Sequence, residues 1–194
     1  MKQPNEARRL QLIRVAARLF REKGYERTTV RDLAAAVGLQ SGSLFHHFDT
    51  KEAILFAVIE EAMETSIRRL DESTRSTPDP KSKMRALIRT ELENLLGETK
   101  EGLSVAFFEW RSLNEDHQTQ LDTLYQAYNA TWQLVLEEAN ASKHLPINPK
   151  LLRRFLRGAL NWSVAWFQED GYMDLDELAE EALNMFWRDG QLDF

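Results

Sequence analysis

The sequence contains no cysteine, which excludes several kinds of chemistry together. A chain without thiols forms no disulfides, no thiolate metal sites and no cysteine nucleophile. The longest unbroken apolar run is only seven residues, Ala53–Ile59, whereas a membrane-spanning helix needs about 20. The first residues, 1–6, also lack the apolar core of a signal peptide. We therefore expect a cytoplasmic protein that does not span a membrane.

Motifs of the common enzyme classes are missing as well. The chain has neither a Gly-rich phosphate loop nor a G-x-S-x-G turn, and its histidines form no H-E-x-x-H or E-x-x-H pattern. The adjacent His46 and His47 invite a metal, but consecutive helical side chains point about 100° apart, so one ion cannot easily take both. We predict no enzyme activity, no cofactor and no metal. Scattered carboxylates leave a catalytic pair as an open alternative.

The segment 28–51 has the pattern of two short helices joined by a turn. Thr29 can cap the first helix, with an acid three residues later in the position of a capping box. Gly38 supplies the left-handed residue that ends this helix. Leu44 and Phe48 are four residues apart, which places both on the inner face of the second helix. This pattern predicts a helix-turn-helix, whose second helix enters a DNA major groove.

The distribution of charge favours the same interpretation. The whole chain has a net charge of −6, which by itself argues against a nucleic-acid partner. Residues 1–51, however, carry ten Lys/Arg and five Asp/Glu, whereas residues 52–194 carry fifteen and twenty-six. The basic charge is therefore concentrated around the helix-turn-helix, and a phosphate backbone would attract this part and repel the rest.

Residues 12–58 resemble the N-terminal domain of the TetR family of bacterial transcriptional regulators. The resemblance runs without a gap through AARLFREKGYERTTVRDLAAAVGLQSGSLFHHFDTKEAI. It implies a three-helix DNA-binding head and a fourth helix that connects this head to a ligand-binding body. The remainder of the chain resembles the family in its length and helical character.

Helical spacing continues through the rest of the chain, and no alternation typical of strands is present. We therefore predict an all-α fold, with an N-terminal three-helix helix-turn-helix DNA-binding head and a C-terminal helical body for ligand binding and dimerisation. The head covers residues 5–51, with the motif at 29–48. A connecting helix at 52–72 leads to the body at 79–194. The polar segment 73–80 contains two prolines and is the predicted linker.

The resemblance also implies which residues contact DNA. Family members read DNA with the third helix, which we place at residues 41–47, and hold phosphates with the adjacent helix ends. The family commonly has aromatic hydroxyl residues where this chain has Phe45-His46, and we expect Phe45 to lie in the core. The predicted contacts to double-stranded DNA are made by Thr29, Arg31, Gln40, Ser41, Gly42, Ser43, His46, His47 and Lys51.

The C-terminal helices have a spacing suited to dimer formation. One recognition helix reads too few base pairs for useful specificity, so we expect a homodimer on a palindromic operator. Family members form their dimer as a four-helix bundle from the corresponding elements. The alternative is that these residues belong to the core of one chain. The predicted dimer contacts are Phe155, Gly158, Ala159, Leu178, Ala182, Met185 and Phe186.

Aromatic and polar residues of the middle helices suggest a site for a small-molecule effector. An apolar pocket with a few convergent polar groups is typical of such sites, although aromatics at helical spacing are also typical of a core. The pair Asn161-Trp162, followed by Trp166 and Gly171, is similar to a branch of the family that responds to acyl-coenzyme A thioesters. The predicted ligand residues are Phe107, Trp110, Arg111, Tyr125, Tyr128, Asn129, Trp132, Asn161, Trp162 and Trp166.

Together these features predict a ligand-responsive transcriptional regulator. We expect a repressor that a small hydrophobic, acyl-CoA-like effector releases from its operator. A helical protein–protein adaptor without a DNA role is the alternative, although an adaptor has no need for basic charge around a helix-turn-helix.

Overall fold

The computed structural model describes residues 4–145 and 147–188, and these residues form nine α-helices and no strand. The all-α prediction is confirmed. No helix among the described residues is long and apolar enough to cross a bilayer. Short 3₁₀ turns occur at Trp110–Ser112 and Ser163–Ala165. The α-helices are α1 (Pro4–Lys23), α2 (Val30–Ala36), α3 (Ser41–Leu44), α4 (Lys51–Arg75), α5 (Pro80–Leu96), α6 (Lys100–Phe108), α7 (Glu115–Ala141), α8 (Pro149–Trp162) and α9 (Leu175–Asn184).

Side-chain caps set the starts of several helices. The Asp79 carboxylate accepts a hydrogen bond from the Ser82 N–H at the start of α5. Asn148 caps α8 in the same way, and a proline follows it at the first helical position. Asp174 and Glu177 form a reciprocal capping box at the start of α9. Each of these caps satisfies backbone N–H groups that would otherwise have no partner in the first helical turn.

The first of two compact units comprises residues 4–64 and 100–124. It contains α1, α2, α3, the first part of α4, and α6, which packs against α1. A Cβ added at Gly102 would lie 2.6 Å from the Cβ of Ala62, so only glycine permits the observed approach of α6 to α4. The largest fully buried side chains of this unit are Leu12, Phe20, Leu33, Leu44, Ile54, Leu55 and Ile59.

The second compact unit comprises residues 65–99 and 125–188, apart from residue 146. Helix α5 packs against α8 and α9 in this unit. The predicted boundaries followed chain order, whereas the structure places the segment 100–124 with the DNA-binding head. The largest fully buried side chains of this unit are Leu70, Met84, Leu87, Ile88 and Trp132.

The predicted end of the connecting helix differs from the structure. Helix α4 continues to Arg75 rather than ending at residue 72, so the linker before α5 is shorter than predicted. In the second unit, α8 ends at Trp162 and the chain continues as a 3₁₀ turn. The last helix, α9, ends at Asn184.

Candidate nucleic-acid interface and effector unit

The turn between α2 and α3 is built around Gly38, whose φ of 68° lies in the left-handed region. The Gly38 N–H donates to the Ala35 carbonyl at 3.1 Å, and the Leu39 N–H donates to the Ala34 carbonyl at 2.9 Å. These two bonds form a Schellman motif, which satisfies carbonyls at the end of a helix. The predicted left-handed turn is therefore confirmed, and it sets the direction in which α3 leaves α2.

The start of α2 is fixed by the predicted capping box. The Asp32 N–H donates to the Thr29 hydroxyl at 3.1 Å, and the Thr29 N–H donates to the Asp32 carboxylate at 2.9 Å. The hydrogen bonds that this carboxylate accepts from Thr29, first from its N–H and then from its hydroxyl, are the main reason that the pKa of Asp32 is lowered. The Thr29 hydroxyl also donates to this carboxylate at 2.8 Å, which uses its only hydrogen. A phosphate contact from this hydroxyl would therefore have to replace a bond to Asp32.

The recognition helix is shorter than predicted, because α-helical geometry covers Ser41–Leu44 rather than residues 41–47. The chain then closes a tight turn in which the N–H groups of His47 and Phe48 both donate to the Leu44 carbonyl. Leu44 is completely buried, so the polar side chains around it point away from the core. Gln40, Gly42 and His46 are exposed, and Ser41, Ser43 and His47 are half-buried.

Phe45 does not lie in the core as predicted, since 49% of its surface is exposed. Leu44 and Phe48 occupy the inner positions of this segment, and Phe45 follows Leu44 by one residue. Its side chain therefore points about 100° away from that of Leu44. The family pattern of an aromatic residue here was visible in the sequence, and it could have identified Phe45 as part of the outer surface beside His46.

Lys51, a predicted phosphate contact, is already held within the first unit. Its ammonium group donates to the Tyr25 carbonyl at 3.1 Å and lies 4.1 Å from the centre of the Tyr25 ring. Burial, followed by the nearby carboxylates of Glu52, Glu26 and Glu109, raises the pKa of the Tyr25 phenol to about 12. The phenol therefore remains neutral, and the Lys51 charge lies over an uncharged ring at the start of α4.

Arg31 differs from Lys51 because its side chain is exposed on α2 and has no hydrogen-bond or ion-pair partner within the described residues. A guanidinium in this state can reach a phosphate or a guanine edge without breaking an existing contact. Arg31 is therefore the cation of the helix-turn-helix with the most freedom to bind DNA. Whether any of the nine predicted DNA contacts is made stays a prediction.

A polar cluster that the sequence did not reveal joins the start of α4 to the start of α7 within the first unit. The Nδ1 atom of His117 lies 2.7 Å from a Glu52 carboxylate oxygen, which also accepts a hydrogen bond from the Asn114 N–H at 3.0 Å. The His117 ring stacks on Phe56 at 4.3 Å between centroids. These contacts hold the end of α4 that carries Lys51.

The structure divides the predicted ligand residues between the two units. Phe107, Trp110 and Arg111 lie in the first unit, and Phe107 is largely exposed. Tyr128 and Trp132 are buried in the second unit, where Asn129 and Asn161 are half-buried. Tyr125, Trp162 and Trp166 are exposed residues of the second unit.

Two buried polar residues of α5 lie beside the predicted aromatic residues. Glu91 is 1% exposed and Asn94 is 0% exposed. The Tyr128 hydroxyl donates a hydrogen bond to one Glu91 oxygen, which lowers the pKa of this carboxyl. Trp132 lies nearby and lowers the pKa further, although its indole N–H is outside hydrogen-bonding geometry. Desolvation is the larger effect and raises the pKa of Glu91. The sequence signal was available, because both residues fall within the apolar face of α5 that includes Ile88.

Several polar atoms in the buried cluster of Glu91, Asn94, Tyr128, Trp132 and Arg157 have no hydrogen-bond partner within the described residues. They are both amide atoms of Asn94, one oxygen of Glu91, and the Nε atoms of Trp132 and Arg157. An unpaired buried polar group costs on the order of 1–3 kcal/mol. The core of the second unit is otherwise apolar, so this group of unpaired polar atoms is costly to its stability.

The described part of the second unit also contains an open groove of about 610 Å³. None of the predicted ligand residues lines it, because it uses a different face of α7. Five of its eleven lining residues are charged, and Lys83 forms an ion pair with Glu138. Because effector sites are mostly enclosed, this open groove is a weaker candidate than the aromatic face of α7. The groove residues include Asp71, Thr74, Arg75, Lys83, Thr131, Leu134 and Glu138.

The predicted dimer contacts fall into two groups. Phe155 is 69% exposed and Met185 is 81% exposed, and Gly158 and Ala159 are exposed beside Phe155 on α8. Ala182 and Phe186 are instead buried within the chain, and Leu178 is half-buried. The exposed Trp162 lies seven residues after Phe155 and extends the same face of α8. Burial within the chain thus closes Ala182 and Phe186 to a second copy, and whether the exposed residues form a dimer contact stays a prediction.

Two family descriptions match this sequence. The description "Bacterial regulatory proteins, tetR family" matches residues 12–58, and "Tetracyclin repressor-like, C-terminal domain" matches residues 77–189. The second match alone covers more than half of the chain. The protein belongs to the TetR family. The prediction of a DNA-binding transcriptional regulator of this family is confirmed, and the adaptor alternative is not favoured.

Other TetR-family and related proteins are similar over nearly the whole chain. The HTH-type transcriptional repressor KstR2 of Rhodococcus jostii is 31% identical over 92% of this chain and 88% of its own. The superantigen PfiT has a crystal structure with a TM-score of 0.82 and 43% identity, covering 97% of this chain and 100% of PfiT. AibR in complex with isovaleryl coenzyme A and operator DNA has a TM-score of 0.82 at 22% identity, over 93% and 98% of the two chains. This last likeness concerns the fold.

Proposed function

We propose that the protein is a cytoplasmic repressor that binds a palindromic operator as a homodimer and leaves it when a small hydrophobic effector binds the second unit. The chemistry of the outer surface of α3 is the observation that supports DNA binding. Gly38 directs this short helix away from α2, Leu44 anchors it, and small or polar side chains cover its outer face. Ser41, Gly42 and Ser43 are small enough to let the helix backbone approach base edges in a major groove.

A dimer is proposed because α3 is too short to read a long site. A helix of this kind contacts only a few base pairs, whereas two copies related by a two-fold axis read both halves of a palindrome. The exposed apolar stripe of Phe155 and Trp162 on α8 is consistent with a helix-to-helix contact between two copies. Burial of such a stripe contributes stability in proportion to the apolar area removed from water.

Selection from random duplex oligonucleotides with the purified protein tests DNA binding, and fluorescence anisotropy then compares variants on the selected duplex. Arg31→Ala is expected to weaken binding by about 1–3 kcal/mol if the guanidinium contacts a base. Arg68→Ala removes an exposed cation from α4 in the second unit and serves as the matched control. Equal affinities of the two variants would remove Arg31 from the interface.

The effector that we propose is an acyl-CoA-like thioester. The AibR complex contains isovaleryl coenzyme A together with operator DNA, and we extend that class of compound to this chain as a proposal. The short resemblance around Asn161 and Trp162 supports the same class. In this chain the buried Tyr128 and Trp132 supply apolar surface beside polar groups, which is the combination that small-molecule sites use.

The connecting helix α4 provides a route from effector to DNA. It runs without interruption from Lys51, beside the DNA-binding surface, to Arg75 in the second unit. In one state of the dimer, the two recognition helices are spaced incorrectly for the operator. An effector that binds this state more tightly shifts the population toward it, and the protein leaves the DNA. Titration of extracted small molecules and of acyl-CoA thioesters into the protein–operator complex tests this step. Effectors that bind the protein but leave operator affinity unchanged would contradict it.

A further inference from the structure

The buried polar cluster of the second unit comprises Glu91 and Asn94 on α5, Tyr128 and Trp132 on α7, and Arg157 on α8. Hydrogen bonds account for only part of it. Tyr128 donates to Glu91, and the Arg157 guanidinium donates to the Asn129 side-chain carbonyl at 2.9 Å while it lies 4.4 Å from the centre of the Tyr128 ring.

The groups left without a partner in the described chain are mainly donors. The Asn94 amide nitrogen, the Trp132 indole nitrogen and the Arg157 Nε all carry hydrogen. The acceptors without a partner are the Asn94 amide oxygen and one Glu91 oxygen. Burial also raises the pKa of Glu91, which favours a neutral carboxyl with one more hydrogen to donate. A ligand that contributes an acceptor oxygen would satisfy several of these groups.

The surroundings restrict the rest of the ligand. The apolar face of α5 on which Glu91 and Asn94 lie also carries the buried Leu87, Ile88 and Leu95. A free carboxylate would have to lose its hydration to enter this buried site, where the Arg157 guanidinium already donates to Asn129, so a neutral oxygen is the better match. A hydrocarbon without oxygen would leave the donors of the cluster unpaired.

From these contacts we propose that the cluster of Glu91, Asn94, Tyr128, Trp132 and Arg157 is the specificity site of the effector and binds a neutral carbonyl oxygen on an apolar skeleton. This inference rests on the proposed ligand response and adds the chemical group that is recognised. Because Glu91 and Asn94 are buried, entry of the ligand requires α7 or α8 to move away from α5. Helix α7 begins in the first unit at the Glu52–His117 contact, so its movement acts on the start of α4.

A matched pair of probes tests the recognition of a carbonyl. The neutral thioester S-methyl octanethioate and its thioether analogue methyl octyl sulfide differ only in the carbonyl group, and neither carries a second one. Calorimetric titration of the intact protein is expected to show about tenfold tighter binding of the thioester, which is the contribution of one well-placed hydrogen bond in a buried site.

Asn94→Leu separates ligand recognition from structure. The substitution removes two unpaired buried polar atoms and replaces them with an apolar group of similar size, so the variant is expected to melt at a higher temperature. It is also expected to lose the preference for the thioester. Asn140→Leu makes the same change at an exposed position of α7 and is expected to keep that preference.

Three results would overturn the proposal: equal binding of the two probes by the natural protein, no binding of either probe, or an unchanged preference in Asn94→Leu. Operator binding measured on the same samples distinguishes this failure from failure of the proposed function. A protein that binds its operator and responds to other small molecules, but does not distinguish the probes, contradicts the specificity site alone.

Discussion

The Nδ1 atom of His117 lies 2.7 Å from a carboxylate oxygen of Glu52, which attaches the first turn of α7 to the first turn of α4. Both side chains are largely shielded from water. The ring of His117 additionally stacks on Phe56. This contact places a polar anchor next to Lys51, at the end of α4 that we propose to lie against DNA.

Loss of this anchor is expected to destabilise the first unit. His117→Ala removes the hydrogen bond and the ring stacking, so the free energy of unfolding should fall by about 1–3 kcal/mol. His46→Ala, which makes the same change at an exposed position of the DNA-binding surface, should leave stability nearly unchanged. Urea denaturation measures both variants. A loss in His117→Ala no larger than that in His46→Ala would show that the contact contributes little.

Gly38 and Gly42 provide a second matched pair, because an added Cβ meets no atom within 4 Å at either position. Only Gly38 has a left-handed φ, so Gly38→Ala should cost about 1–2 kcal/mol through backbone strain alone. Gly42 lies inside α3, where alanine is the better helix former, and Gly42→Ala should not reduce stability. Thermal denaturation of the two variants compares them directly. Equal stabilities would mean that the turn does not depend on its left-handed residue.

The exposed stripe on α8 predicts a specific effect on association. Phe155→Asp places a charge on the predicted contact surface and should shift the protein from dimer to monomer in sedimentation experiments. Tyr172→Asp alters another highly exposed aromatic residue outside α8 and serves as the control. If Phe155→Asp sediments like the natural protein, the dimer contact lies elsewhere.

The raised pKa of Glu91 predicts how stability depends on pH. The folded chain holds this proton more tightly than the unfolded chain does, so the carboxyl destabilises the fold progressively as pH rises above its ordinary value of 4.5. Glu91→Gln keeps an acceptor for the Tyr128 hydroxyl but removes the titration. Its stability relative to the natural protein should therefore increase between pH 4.5 and neutrality.

Urea denaturation at several pH values within this window measures that difference. Glu72→Gln changes an exposed carboxylate of α4 and provides the comparison. A constant difference between Glu91→Gln and the natural protein across the window would contradict the burial of a raised-pKa carboxyl.

The helix-turn-helix could be predicted from the sequence because its determinants are local. A capping box at Thr29, a left-handed turn at Gly38 and an inner pair at Leu44 and Phe48 each depend on a few neighbouring residues. The length of α3 was harder to predict, because the Leu44 carbonyl accepts two N–H groups and ends the helix early. The exposure of Phe45 follows from the same geometry.

The sequence marks Glu91 and Asn94 as polar residues on an apolar helix face, but it does not show which residues of α7 and α8 complete the polar cluster of the second unit. Glu91 and Asn94 share the apolar face of α5, but only the packing of α7 and α8 determines that neither residue reaches water. The Glu52–His117 contact joins residues that are 65 positions apart, and such pairs depend on the whole fold. The aromatic residues of α7 are evident in the sequence, but only the tertiary structure shows that Tyr128 and Trp132 are buried and Tyr125 is exposed.

The most direct test of DNA reading by α3 compares two affinities of the purified protein, one for its selected palindrome and one for a scrambled duplex. Both are measured by fluorescence anisotropy at several salt concentrations. We predict a preference of at least about 10³-fold, with binding to both duplexes weakening as salt rises because cations of the first unit displace counterions from phosphates. Equal affinity for both duplexes at low ionic strength, or no binding to either, would contradict the central claim that the outer face of α3 reads DNA.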